Sequence, residues 1–188
     1  SIIDVTNEYV PVKNVKIELT KGIPDSTNFA YICVYNSGEW KAIDYTRPYD
    51  VKAQFTKMGM GIAYLPAFYY DEKIIPAGDA IILTDSGKIE TMKPEAGNRI
   101  ELKLFSTTKR ITKETTDFVE QTDFISAKNY TLYYWDDKWV KVGEQTAGNG
   151  PLMFSKVPSN AIYWLVEENS RKEERIFTID ENGKQLWW

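Results

Sequence analysis

Apolar and polar residues alternate along short segments through most of this chain. A period of two is typical of β-strands that bury one face, and no long window shows the helical period of about 3.6 residues. Glycine-containing turns, such as NSGE at 36–39 and DSGK at 85–88, separate the segments and predict hairpins. Many short strands joined by such turns are typical of sandwiches, so the pattern predicts an all-β protein.

Two halves of the chain repeat this pattern. Aromatic residues recur 99 positions further on without a gap, and after a three-residue deletion the stretch 82–89 matches 178–185. The seam falls in KPEAGN at 93–98, where proline, glycine and polar residues cluster. The sequence therefore predicts two tandem antiparallel β-sandwich domains related by internal duplication, at 1–96 and 97–188. The recurring pairs are Tyr31 and Tyr130, Tyr35 and Tyr134, Trp40 and Trp139, Phe55 and Phe154, and Tyr64 and Tyr163.

Two expectations about the inside and the outside of the domains follow from the repeat. Residues that keep their spacing and strand face in both halves are best explained by packing, so we expect the five aromatic pairs to fill the two cores. The second half carries extra polar chain at 107–121, whose threonines and charges predict a surface loop or a short helix capped by Thr112.

Composition removes several classes of chemistry. The 188 residues include no histidine and one cysteine, which excludes a Ser-His-Asp triad, a histidine metal ligand and an intrachain disulfide. The net charge of -4, with both signs interspersed, gives no reason to expect nucleic acid as a partner. No apolar run approaches the length of a membrane-spanning segment. We predict no metal site and no cofactor.

The candidate catalytic residues are better explained by structure. Cys33 lies between Ile32 and Val34 in a predicted strand, where a buried thiol is the expected state rather than a nucleophile. Asp136 and Asp137 are neighbours at a hairpin tip, whereas two carboxylates that hydrolyse a glycoside must face each other across about 5–10 Å. We therefore predict that the chain is not an enzyme and has no catalytic residue.

Aromatic residues without a partner in the other half form the remaining candidates. They could pack the two halves together or against a further domain, anchor a protein interface, or stack on sugar rings. The first half offers Tyr45 and Tyr49 besides Tyr69 and Tyr70. We predict binding by five of these aromatic residues: Tyr133, Trp135, Trp164, Tyr69 and Tyr70.

The stretches AYICVYNSGEWKAI at 30–43, FTKMGMGIAYLPAFYYDEKIIPAGDAIIL at 55–83 and YTLYYWDDKWVKVGEQ at 130–145 carry a resemblance to a family. With the ending FSKVPSNAIYWLVEENSRKEERIFTIDENGKQLWW, the chain resembles the β-rich region that follows the catalytic core in transglutaminase-like proteins of Bacteroides-type gut bacteria. The catalytic Cys-His-Asp triad of that family does not carry over, because this chain has no histidine. The resemblance implies a non-catalytic region located in the periplasm or at the cell surface.

Three functional hypotheses remain. The first is a non-catalytic recognition or accessory module outside the cytoplasm, with a protein partner or an adjacent catalytic domain. The second is a carbohydrate-binding module that holds a glycan on exposed aromatic residues. The third is a carboxylate-based glycoside hydrolase, although no pair of carboxylates in the sequence stands out for that role.

Overall fold

The structure is a computed structural model that describes residues 11–21, 28–104, 106–111, 117–122, 124, 127–168 and 176–188, with the backbone alone at 106–111 and 117–122. Within these ranges the chain is all-β, as predicted, and none of its secondary structure is an apolar helix that could cross a membrane. The chain divides into two compact units between Lys93 and Pro94. This division lies in the segment where the sequence places the seam, three residues before the predicted boundary.

The first unit is a sandwich of two antiparallel sheets. Strands β1 and β4 form the small sheet, and the large sheet has the order β3-β2-β5-β7-β8 with β6 paired to β5. Val15 and Phe55 of the small sheet pack against Ile32, Tyr64 and Phe68 of the large sheet, which forms the core. The strands are β1 (Val12–Glu18), β2 (Ala30–Asn36), β3 (Glu39–Thr46), β4 (Lys52–Gly59), β5 (Ile62–Tyr70), β6 (Lys73–Pro76), β7 (Ala80–Leu83) and β8 (Ile89–Met92).

Over the described residues the second unit repeats the two-sheet arrangement, without a counterpart of β6 and with one additional hairpin. Strands β9 and β14 form the small sheet, and the large sheet has the order β13-β12-β15-β16-β17. Its core joins Leu102 and Phe154 to Leu132, Tyr163 and Phe177. The two predicted sandwiches are therefore confirmed. The strands are β9 (Glu95–Leu104), β10 (Ser106–Ile111), β11 (Asp117–Thr122), β12 (Asn129–Trp135), β13 (Trp139–Thr146), β14 (Leu152–Ser159), β15 (Tyr163–Glu167), β16 (Ile176–Ile179) and β17 (Gln185–Trp187).

The units also share local details at the predicted spacings. The Tyr64 hydroxyl donates to the Gly59 carbonyl at 2.7 Å, and the Tyr163 hydroxyl donates to the Pro158 carbonyl at 2.5 Å. Lys57 and Lys156, 99 residues apart, both have a φ of 57°. Each tyrosine hydrogen bond satisfies a backbone carbonyl near the core. Burial of Phe55 or Phe154 stabilises its unit by about 1.5–3 kcal/mol. Phe55, Phe154, Tyr64 and Tyr163 thus lie in the two cores as predicted.

The final hairpin of each unit depends on glycine. Gly87 and Gly183 have φ values of 84° and 81°, in the left-handed region that other residues enter at a cost. Both glycines donate their backbone N–H three residues back along the chain, to Thr84 and to Asp180. The predicted hairpin turn at DSGK is therefore confirmed, and ENGK at 181–184 forms the equivalent turn of the second unit.

One strand differs in register between the units. Val34 of β2 pairs with Tyr64 of β5, whereas Tyr134 of β12 pairs with Tyr163 of β15. Strand β12 is therefore equivalent to β2 at a spacing of 100 residues rather than 99, and the β12–β13 hairpin is one residue shorter. A slip of one residue reverses the side-chain faces of a strand.

The register corrects part of the predicted core. Tyr130, Leu132 and Tyr134 face the core of the second unit, but Ala30, Ile32 and Val34 face the core of the first. Tyr31 and Tyr35 lie on the opposite face of their sheet. The prediction that these two tyrosines share their places with Tyr130 and Tyr134 is wrong, because the matching letters concealed the shorter hairpin.

The predicted tryptophan pair lies outside both cores. Trp40 pairs with Tyr35 and is buried, and Trp139 pairs with Trp135 and is half-buried. Cross-strand partners share a face, so both tryptophans lie on the face of the large sheet that points away from its core. Their predicted place in the two cores is wrong, although their equivalence at a spacing of 99 residues holds.

The extra chain of the second unit is a hairpin. Strands β10 and β11 pair from Ser106 and Thr122 to Ile111 and Asp117. The prediction of a surface loop or short helix at 107–121 is therefore wrong over the described residues, and Thr112 lies outside them. Alternating threonine and charged residues are compatible with a two-stranded hairpin as well as with a loop, so the sequence pattern did not distinguish them.

Candidate functional site

The candidate catalytic residues occupy structural positions. Cys33 is 0% exposed, and burial raises the pKa of its thiol from 9.0 to about 12, which disfavours the reactive thiolate. Asp136 and Asp137 are exposed at the tip of the β12–β13 hairpin, where Asp137 has a φ of 62°. Aspartate tolerates this left-handed conformation, so its role in the turn accounts for it.

Three predicted binding residues lie together on the second unit. The Tyr133 ring is 5.4 Å from the Trp164 ring, and Trp139 is 5.4 Å from Trp164 and 5.1 Å from Trp135. Trp135 and Trp164 are only 8% and 6% exposed. These tryptophans have little ring surface available for a ligand.

Tyr69 and Tyr70 are brought to the surface of the first unit, at the end of β5. Successive side chains of a strand point to opposite faces, so the two tyrosines do not form one surface. Tyr69 is 41% exposed and its ring lies 4.6 Å from Tyr31 in an edge-on arrangement. Tyr70 is more exposed and lies on the other side of the strand.

Tyr69 belongs to a strip of four rings that crosses three strands, which we name the aromatic ladder: Phe29, Tyr31, Tyr45 and Tyr69. Tyr31 and Tyr45 are cross-strand partners with centroids 5.9 Å apart, and Phe29 lies edge-on to Tyr45 at 5.1 Å. Tyr45 is 60% exposed and Phe29 36%. The ladder is a mixed surface of ring faces, ring edges and phenol groups.

A groove with three cationic side chains contacts the ladder through Arg47 and is otherwise lined in part from the outer face of the small sheet. The Arg47 guanidinium carbon lies 5.0 Å from the centre of the Phe29 ring, a cation–π contact. Arg47 also lines a groove of about 430 Å³, which we name the basic groove. Its lining residues are Lys16, Thr46, Arg47, Tyr49, Asp50, Lys52 and Gln54.

The equivalent surface of the second unit is polar. By strand register the ladder positions correspond to Asn129, Thr131, Glu144 and Glu168. Lys141 donates to Glu144 at 2.6 Å. This hydrogen bond, followed by the charge of Lys141 and a hydrogen bond from Asn129, lowers the pKa of Glu144. The same sheet position thus carries aromatic rings in one unit and a hydrogen-bonded polar group in the other.

Sequence reasoning missed Phe29, Tyr31 and Arg47. Tyr31 was assigned to the core because it matched Tyr130, and Phe29 and Arg47 had no feature that marked them. The available signal was Tyr45, which like Tyr69 has no aromatic partner in the second half. Placing these two tyrosines on the strands that flank β2 would have indicated the ladder.

Comparisons with protein-family models, with curated protein sequences and with solved structures find no match to this chain.

Proposed function

We propose that this chain is a non-catalytic recognition module and that the aromatic ladder is its binding surface. Large exposed aromatic rings are unfavourable in water unless they serve a contact. Tyr45 and Tyr69 expose 60% and 41% of their area on one face of one sheet. Their alignment through Tyr31 makes them a continuous surface rather than scattered residues.

The observation that carries the proposal is the polar counterpart in the second unit. Thr131, Glu144 and Glu168 occupy the positions of Tyr31, Tyr45 and Tyr69 in a sandwich of the same strand order. The sandwich therefore does not need aromatic side chains there. Rings that the fold does not need, and that remain exposed, favour a role in binding.

The state of the candidate nucleophile supports a role other than catalysis. Cys33 is buried with its pKa raised, and the chain has no histidine that could activate it. The resemblance to transglutaminase-like proteins supports a periplasmic or cell-surface location and an adjacent catalytic domain as one partner. Both belong to the proposal.

Carbohydrate is the ligand class that the ladder favours over a protein partner. Three of the four rings are tyrosines, whose faces can stack on the C–H surface of a sugar while their hydroxyls exchange hydrogen bonds with it. The rings are tilted to one another by 43° and 86° at Tyr31, which gives a ridged strip rather than a flat apolar patch. Protein interfaces more often bury their aromatic anchors at the centre of a packed patch.

Affinity electrophoresis tests the proposal with gels that contain soluble polysaccharides: galactan, xylan, polygalacturonate and chondroitin sulfate. At least one polymer should retard the protein, and the double variant Tyr45→Ala/Tyr69→Ala should migrate as in a polymer-free gel. Tyr70→Ala is the matched control, because it removes a neighbouring exposed tyrosine outside the ladder and should keep full retardation. Unchanged migration of the parent protein in every gel would contradict the proposal.

A further inference from the structure

We propose that the ligand is an acidic polysaccharide whose sugar rings stack on the aromatic ladder while a carboxylate or sulfate group enters the basic groove. This inference rests on the proposed function and adds the charge of the ligand to it. It assigns a role to Lys16, Arg47 and Lys52.

The charges of the basic groove oppose those of the whole protein. The chain has a net charge of -4, but the groove joins three cations, Lys16, Arg47 and Lys52, with a single carboxylate, Asp50. All four side chains are exposed. Like charges held close together repel one another, so a bound anion would relieve a local cost.

No ion pair joins Lys16, Arg47 or Lys52 to another residue in the part of the chain that the structure describes, whereas two other lysines of the unit are paired. Lys41 pairs with Glu39, and Lys88 pairs with Glu90, each at 3.7 Å. Neither pair includes a residue that lines the groove, and Glu18 of β1 is the cross-strand partner of Lys52. Arginine in particular offers a planar set of donors that matches a carboxylate or sulfate.

Arg47 connects the groove to the ladder. It lines the groove and also lies over Phe29, whose ring is in edge-on contact with Tyr45. Neighbouring strands are about 4.8 Å apart, so the rings of Tyr45 and Tyr69 on either side of β2 span about 10 Å. The ladder lies on the outer face of the large sheet, whereas Lys16 and Lys52 project from the outer face of the small sheet. A ligand that covers the ladder and also reaches these lysines passes around the edge of the sandwich at Arg47, which requires a polymer rather than a single sugar.

The separation of the two surfaces favours a glycan over a single-stranded nucleic acid. A polynucleotide carries a phosphate at every unit, and proteins that bind it line the aromatic platform itself with cations. Within the described residues, the cation–π contact of the ladder is made by Arg47 at its end, and Lys16 and Lys52 lie in the groove rather than along the rings. Uncharged ring faces followed by an acidic group are the chemistry of an acidic polysaccharide.

Isothermal titration with polygalacturonate, with its methyl-esterified form and with chondroitin sulfate tests the inference. The ester keeps the sugar chain and removes the charge, and the sulfated polymer distinguishes sulfate from carboxylate as the preferred anion. We expect the acidic form to bind at least about tenfold more tightly than the ester, and we expect sodium chloride to weaken that binding.

Variants separate the groove from the ladder. Lys16→Gln, Arg47→Gln and Lys52→Gln should each weaken binding of the preferred acidic polymer by about threefold, which is typical of an exposed ionic contact. Lys73→Gln is the matched control, because it removes an exposed lysine of β6 outside the groove and should have no effect. Arg47→Lys should recover only part of the affinity, since lysine keeps the charge but loses the planar contact with Phe29.

Three outcomes would overturn the inference, and each differs from failure of the proposed function. Equal binding of the ester and the acid, with loss in Tyr45→Ala/Tyr69→Ala, would leave a neutral glycan module and remove the role of the groove. Binding of the acidic polymer that survives in Tyr45→Ala/Tyr69→Ala would show ionic attraction without stacking on the ladder. Tighter binding of single-stranded oligodeoxythymidine than of either acidic polymer would assign the site to nucleic acid.

Discussion

Each of the two units is a sandwich whose large sheet has the same strand order, but the two units present different surfaces. Residues that face the cores agree in kind, as Phe55 and Phe154 or Tyr64 and Tyr163 do. At one end of the outer face of the large sheet the residues diverge, from Tyr31, Tyr45 and Tyr69 to Thr131, Glu144 and Glu168. Further along that face Trp40 and Trp139 agree. Packing therefore accounts for the agreement on the inward face, whereas the exposed aromatic residues of the first unit have another cause.

Core substitutions should destabilise the two units most and to the same extent. Phe55→Ala and Phe154→Ala should each lower the free energy of unfolding of their own unit by about 3–5 kcal/mol, because each leaves a cavity between the two sheets. Urea unfolding followed by tryptophan fluorescence measures both. A large loss in one unit with almost none in the other would show that the cores are not equivalent.

The register slip predicts unequal effects for a pair that looks equivalent in sequence. Tyr130→Ala should cost about 3 kcal/mol, because its ring is buried in the core of the second unit. Tyr31→Ala should cost less than about 1.5 kcal/mol, because its ring lies on the half-exposed outer face. Chemical denaturation measures the free energy of unfolding of both variants. Equal losses would contradict the register difference between β2 and β12.

Alkaline pH should affect the first unit before the second. Burial raises the pKa of Cys33 from 9.0 to about 12 in the first unit, and raises the pKa of Tyr163 above 10.0 in the second. A group whose pKa is higher in the folded state makes its full contribution to the free energy of unfolding below its unfolded pKa. That contribution is lost as the pH rises towards the folded pKa.

The first unit should therefore begin to lose stability above pH 9 and the second above pH 10, at up to about 1.4 kcal/mol per pH unit for each group. Melting curves between neutral and alkaline pH measure the loss. Cys33→Ala is the control, and it should abolish the part of the loss that begins near pH 9. A melting temperature that does not change with pH would contradict this account.

The smallest expected effect concerns the two matched tyrosine hydroxyls. Tyr64→Phe and Tyr163→Phe should each cost about 1 kcal/mol, since each leaves the carbonyl of Gly59 or Pro158 without its donor. Thermal unfolding of both variants tests whether the shared bond contributes equally. A measurable loss in only one of them would show that this detail is not common to the units.

The sequence predicted the sheet class, the repeat and most of the core because these depend on alternation and on paired rings at a fixed spacing. It could not predict which face of β2 is buried. Ile32 and Val34 on one side and Tyr31 and Tyr35 on the other are all large, so either face fits a core, and tyrosine matches favoured the wrong one.

The proposed binding surface was predicted only in part. Tyr69 was named because it lacks a counterpart, but Trp135 and Trp164, chosen on the same argument, are buried. The ladder depends on which strands are neighbours and on their register, and Arg47 enters only through its contact with Phe29. Such contacts between distant residues are fixed by pairing, which a pattern along the chain does not contain.

The most direct test gives the first unit the outer face of the second, through the triple variant Tyr31→Thr/Tyr45→Glu/Tyr69→Glu. Its free energy of unfolding should fall by no more than about 2 kcal/mol, since only a few exposed ring contacts are lost. Its retardation in the polysaccharide gel that slows the parent protein should disappear. A variant that fails to fold, or one that folds and is still retarded, would contradict the account.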